Sequence, residues 1–199
     1  MSNLFSTPVV TPLVRMLARF GLRLCGWRLD LGEPPPRPFV FIGAPHTSNW
    51  DFPLMLAAVL SLRCDARWLG KDSLFRPPFG GVMRWLGGIP VDRSSPQNLV
   101  AQMAGFIREH PDVILCVPPE GTRKKVDRWR TGFYFIALEA GIPIVMTVLD
   151  ADTRTIRNLG FHMPQGNADS EILEIQHKYR GFRGLIPQNT FELPDQAGL

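Results

Sequence analysis

Apolar positions along the chain follow two periods, and each predicts a different element. FVFIGA (39–44) and DVILCV (112–117) are short apolar runs, as expected of buried strands, and ARWLGK (66–71) and IPIVMTVLD (142–150) are further strand candidates. A shorter strand is expected within GIPVDRS (88–94). Between these runs the pattern turns helical. Residues 51–62 read as a helix that Asp51 caps, with Pro53 tolerated in its first turn. Over 95–110, Leu99, Met103, Phe106 and Ile107 share one helical face. Helices are also expected over 132–140, ended by Gly141, and over 169–179. Strands alternating with helices predict a single α/β domain whose mixed, largely parallel central sheet is flanked by helices.

The N-terminal stretch PLVRMLARFGLRLC (12–25) differs. Leu13, Met16, Leu17, Phe20 and Leu24 recur at helical spacing, and Arg15, Arg19 and Arg23 recur every fourth position. It reads as a basic amphipathic helix, either packed on the core with its arginines solvated or seated among anionic lipid headgroups. Residues 1–30 are therefore set apart as an N-terminal amphipathic, membrane-associating segment, and 31–199 as the main domain. The arginines interrupt any membrane span, and their position inside the apolar region is unlike a secretory signal. A stiff connector, PPPRP (34–38), leads into the first apolar run.

Composition narrows the class. With 45% hydrophobic and 20% charged residues among 199, the chain has the makings of a globular core. A net charge of +4 suits an anionic partner without choosing between membrane, phosphorylated substrate and nucleic acid. Cys25, Cys64 and Cys116 show no C-x-x-C spacing, so a reduced, intracellular protein without a structural zinc site is expected.

Two junctions carry the candidate chemistry. At the first, GAPHTSNWD (43–51) turns a strand into a helix and holds His46 and Asp51. Across such a turn a carboxylate can reach an imidazole, fix its tautomer and stabilise its cation. Taken alone, the pair is equally a loop histidine beside a helix-capping aspartate. At the second, VPPEGTRKK (117–125) follows another buried strand, and Arg123, Lys124, Lys125, Arg128 and Arg130 crowd behind a glycine turn. An arginine there suits bidentate binding of phosphate.

Together these residues resemble the glycerolipid acyltransferases of the H-x-x-x-x-D type, typified by lysophosphatidate acyltransferase. The first motif is His46-Thr-Ser-Asn-Trp-Asp51, and the second lies within KDSLFRPPFGGVMRWLGGIPVDRS (71–94). The third is PEGTR (119–123), and the fourth is Gly141-Ile-Pro-Ile-Val145. Pro118 stands where the family usually has an aromatic residue, and Lys124 where it usually has serine. The resemblance implies acyl transfer from acyl-CoA or acyl-carrier protein to the hydroxyl of a lysophospholipid such as 1-acylglycerol-3-phosphate. It implies His46 as general base, Asp51 as its orienter, and no covalent acyl-enzyme. By position it assigns Lys71, Arg93 and Arg123 to the acceptor phosphate, with Glu120, Gly121 and Thr122 completing the substrate site. No metal or cofactor is expected beyond the acyl donor. A peripheral location on the cytoplasmic face of the membrane is expected, without a nucleic-acid partner.

Two readings compete. One is the same acyl transfer to a lysolipid acceptor without a phosphate, which the departures at Pro118 and Lys124 leave open. The other is a non-catalytic basic module for anionic lipid or nucleic acid, which leaves the four ordered motifs unexplained. A serine or thiol hydrolase is disfavoured, because no G-x-S-x-G elbow occurs and Cys116 lies inside an apolar strand. His110, His162 and His177 are expected to be structural or superficial. Trp27, Trp50, Trp68, Trp85 and Trp129 are expected to pack in the core by default, or else to line an acyl pocket or a membrane face.

Overall fold

The structure is a computed structural model, and it describes residues 3–7, 10–33, 35–62, 64–91 and 96–193. Its centre is strand β2 (Phe39–Ala44). Val40, Ile42 and Ala44 enter one apolar cluster, whereas Phe39 and Phe41 enter another on the opposite face. That alternation explains why the whole run is apolar: a strand covered on both sides has no face left for polar residues. On one side β2 pairs in parallel with β5 (Val113–Val117), followed by β3 (Asp65–Lys71) and β4 (Gly88–Val91). On the other side it pairs in parallel with β6 (Ile144–Asp150).

Two strands beyond β6 are not evident in the sequence. β7 (Thr155–His162) returns antiparallel to β6, and β1 (Arg28–Asp30) adds in parallel to β7, completing a seven-stranded sheet of order β1-β7-β6-β2-β5-β3-β4. The register of β6 and β7 slips between Met146 and Thr147. This irregularity breaks the two-residue period of TIRNLGFH and hides the strand from pattern reading.

Helices cover both faces. α4 (Pro96–Glu109), α5 (Gly132–Ala140) and α6 (Ala168–Lys178) lie over the larger apolar cluster, which Met103, Phe133, Tyr134 and Ile175 fill. As expected, Gly141 ends α5 in the left-handed conformation. Near α6, burial opposes ionisation of Glu171. Hydrogen bonds from His162, the amides of Gln165 and Asn167 and the Tyr134 hydroxyl outweigh it and hold the carboxyl down at about 2. His162 is thus a structural partner, and His110 likewise bonds the Phe106 carbonyl.

α2 (Asp51–Ser61) lies on the opposite face, with α1 (Val10–Leu24) beside it, and α3 (Gly80–Trp85) precedes β4. α1 turns Leu22 and Ala18 toward the core and sends the Arg15 guanidinium to the Leu60 carbonyl at 2.7 Å. The residues that suggested a packed face point the other way: Leu13, Met16, Leu17, Phe20 and Leu24 are between 51% and 71% exposed. Among the described residues no helix is long and apolar enough to cross a membrane.

Candidate active site

His46 sits just past the carboxyl end of β2, where ligands commonly bind in open α/β sheets. Its Nδ1 lies 3.1 Å from Asp51 Oδ2. The same oxygen accepts the amides of Thr47 at 2.6 Å and Ser48 at 2.8 Å. Asp51 therefore does more than begin a helix. The cap position is Trp50, which makes no side-chain cap bond. The Asp51 carboxylate instead turns back into the preceding loop and gathers three N–H donors onto one oxygen. That arrangement puts the ring proton on Nδ1 and leaves Nε2 with a free lone pair. Nε2 has no hydrogen-bond partner among the described residues, and His46 lines the main cavity.

Glu120 reaches the same loop from behind. Its Oε1 accepts the His46 backbone N–H at 3.0 Å. Burial pushes this carboxyl up to about 7, even though the amides of His46 and of Glu120 itself, and the His46 ring, favour the anion. Glu120 is 3% exposed and does not line the cavity, so it supports the histidine rather than facing a substrate.

The PEGTR turn also contributes to the cavity lining. Gly121 donates to the Pro118 carbonyl at 3.1 Å with a φ of 67°, a left-handed conformation that side chains disfavour. Gly121, Thr122 and Arg123 face the cavity, as does the exposed Lys71 at the end of β3. The Arg123 guanidinium donates to the Asn49 side chain, joining this turn to the His46 loop. Arg93, the remaining candidate for phosphate, lies outside the described residues.

The cavity measures about 610 Å³. Asp51, Phe52, Met55 and Ala58 line it from one face of α2, spanning about 10 Å along that helix. Phe41, Trp68, Cys116, Leu149 and Ile156 close it from β2, β3, β5, β6 and β7. His46, Lys71 and Arg123 are among its lining residues, and the lining is largely apolar. Burial pushes the Cys116 thiol well above its ordinary range, so this wall residue is a poor nucleophile. The buried Trp27 and Trp129 pack in the core as expected, Trp68 packs against the second cluster and lines the cavity, and Trp50 is 71% exposed beside Asn49.

The sequence of residues 33–149, which holds both the His46–Asp51 pair and the PEGTR turn, matches a known family, acyltransferase. The chain belongs to the acyltransferase family. No curated protein sequence matches this acyltransferase. In fold it is similar to the crystal structure of the 1-acyl-sn-glycerophosphate (LPA) acyltransferase PlsC from Thermotoga maritima. That similarity has a TM-score of 0.55 and 16% sequence identity, over 85% of this chain and 75% of the other.

Sequence reasoning missed the ties that hold the His46 loop from a distance. Asn49 was only a spacer in the first motif. Thr47 bonds a C-terminal segment 139 and 142 residues away, a separation that no local pattern encodes.

Proposed function

We propose that the protein transfers an acyl chain from acyl-CoA or acyl-carrier protein to the hydroxyl of a lysophospholipid such as 1-acylglycerol-3-phosphate. The observation that carries this reading is the His46–Asp51 contact in a histidine that lines the cavity. His46 Nε2 takes the proton of the acceptor hydroxyl while the Asp51 carboxylate stabilises the imidazolium. The acceptor oxygen attacks the thioester carbonyl carbon. The new C–O bond forms, the C–S bond breaks, and the leaving thiolate takes the proton back from His46. No acyl-enzyme is required.

The apolar part of the cavity suits the acyl chain, and Lys71 and Arg123 suit the acceptor's phosphate. The exposed apolar stripe of α1 supports a peripheral site on a membrane surface, which we assign to the cytoplasmic face. The N-terminal segment would then seat the enzyme on the bilayer that holds its acceptor.

The test is a transfer assay over a matrix of acyl-CoA and acyl-carrier-protein donors and lysolipid acceptors, with His46→Ala as control. Wild type forms an ester product with at least one pair, and the variant forms none above background. Transfer by His46→Ala at more than a small fraction of the wild-type rate would overturn the proposed base.

A further inference from the structure

Thr47, the neighbour of the proposed base, is gripped by a segment far outside the four motifs and outside the matched region. The Ile186 amide donates to Thr47 Oγ1 at 3.1 Å, and Asn189 Nδ2 donates to the Thr47 carbonyl at 3.4 Å. Gly184 lies so close that a Cβ there would fall 2.5 Å from both Thr47 Oγ1 and Thr47 Cγ2. Only glycine permits that approach.

The segment is anchored at several points. Phe182 and Phe191 pack against the larger apolar cluster, and the Arg183 carbonyl accepts the Ala151 amide at 3.1 Å. Thr190 Oγ1 accepts the Gly184 amide at 3.1 Å and closes the segment on itself. Further along, Glu192 pairs with Lys125 at 2.8 Å, beside the PEGTR turn.

The amide, hydroxyl and carbonyl of Thr47 are therefore all engaged. Asp51 holds the amide from inside the motif. The C-terminal segment holds the other two. We propose that residues 184–190 form a positioning strap that sets the place of His46 through Thr47, with Gly184 and Asn189 as its positioning residues. This inference rests on the reading of His46 as general base. A displacement of about 1 Å at a reacting group can lower a rate about a hundredfold, so a contact this close governs turnover more than binding.

Gly184→Ala, Asn189→Ala, Thr47→Ala and Thr47→Ser are compared with Tyr134→Phe. The last removes a buried hydrogen bond to Glu171 elsewhere in the fold and serves as a destabilised control. The assay uses the full chain and a donor–acceptor pair that wild type turns over, well below every variant's unfolding temperature. Gly184→Ala is expected to lower kcat by about a hundredfold with donor KM held within about threefold. Asn189→Ala lowers kcat less, Thr47→Ser retains it, and Tyr134→Phe lowers the unfolding temperature alone. Because Thr47→Ala removes the two atoms that an alanine at 184 would strike hardest and leaves only Thr47 Cβ at 3.0 Å, the Gly184→Ala/Thr47→Ala pair loses less than the product of the single losses. The NMR titration of the His46 ring, which needs no turnover, shifts in Gly184→Ala and not in Tyr134→Phe.

Wild-type kcat in both Gly184→Ala and Asn189→Ala, with His46→Ala inactive, overturns the strap and leaves the base standing. Additive losses that follow unfolding temperature, with an unshifted ring titration, also overturn it. Transfer by His46→Ala removes the base itself and is read separately.

Discussion

The Glu120 carboxylate accepts the backbone N–H of His46 at 3.0 Å, across 74 residues of sequence. This single bond ties the PEGTR turn to the histidine loop from the buried side. Burial pushes the Glu120 carboxyl up to about 7, above its ordinary 4.5. A raised acid stabilises the fold fully below the unfolded value, and that stability is lost as pH rises through the folded value. Stability should fall between about pH 4.5 and 7 and then level off, by on the order of 3 kcal/mol from this group. Glu120→Gln, neutral throughout and still able to accept the amide, should flatten that slope. Denaturant titrations at several pH values check it.

Asp51→Asn keeps the side-chain shape but removes the charge that, in the proposed mechanism, stabilises the imidazolium. It should lower kcat by about 100- to 10,000-fold, with KM changing little. The Thr47 and Ser48 amides, each within 2.8 Å of Asp51 Oδ2, then face a weaker acceptor, so the unfolding temperature should drop as well. Steady-state kinetics beside a thermal melt separate the two effects.

Lys71→Ala and Arg123→Ala each remove a cation from the cavity mouth. Charge-assisted hydrogen bonds are worth about 1.5–3 kcal/mol. The KM for a phosphorylated acceptor should rise about ten- to a hundredfold in each variant, and that for an acceptor without phosphate should not. Equal losses on both acceptor classes would remove these residues from phosphate binding.

Leu17 and Phe20 of α1 are 54% and 59% exposed. Burying such side chains in an interface yields up to about 1.5–3 kcal/mol each. The double variant Leu17→Glu/Phe20→Glu should therefore lose at least about tenfold in affinity for anionic vesicles while its circular dichroism stays unchanged. Flotation with vesicles checks this, and undiminished flotation would assign membrane contact to another surface.

Pattern reading found β2, β5 and β6 because strands covered on both faces are apolar nearly throughout, and found β3 although Asp65, Arg67 and Lys71 leave it half-buried. It found α4 because Leu99, Met103, Phe106 and Ile107 share one face, and α2 and α5 because Pro53 near a start and Gly141 at an end mark a helix locally. It missed β7, where the register slip between Met146 and Thr147 breaks the strand period. It missed β1, whose three residues acquire meaning only beside Thr155–Arg157 of β7. In α1 the period was legible and the direction was not. A helical stripe of leucine, methionine and phenylalanine has the same spacing whether it faces a core or solvent.

The site divides in the same way. The spacing of His46 and Asp51 was readable because a strand-to-helix turn brings neighbours in sequence into contact. Lys71, Gly121, Thr122 and Arg123 were readable as motif residues, and the sheet brings them to one cavity. The sequence by itself determined the α/β architecture and the acyltransferase motifs, because burial period and short-range spacing are local properties. Only the tertiary structure decided that Glu120 turns inward to His46, that Arg123 reaches Asn49, and that Gly184 and Asn189 grip Thr47. Those contacts join segments separated by 74 to 142 residues, and the packing of the whole chain sets them.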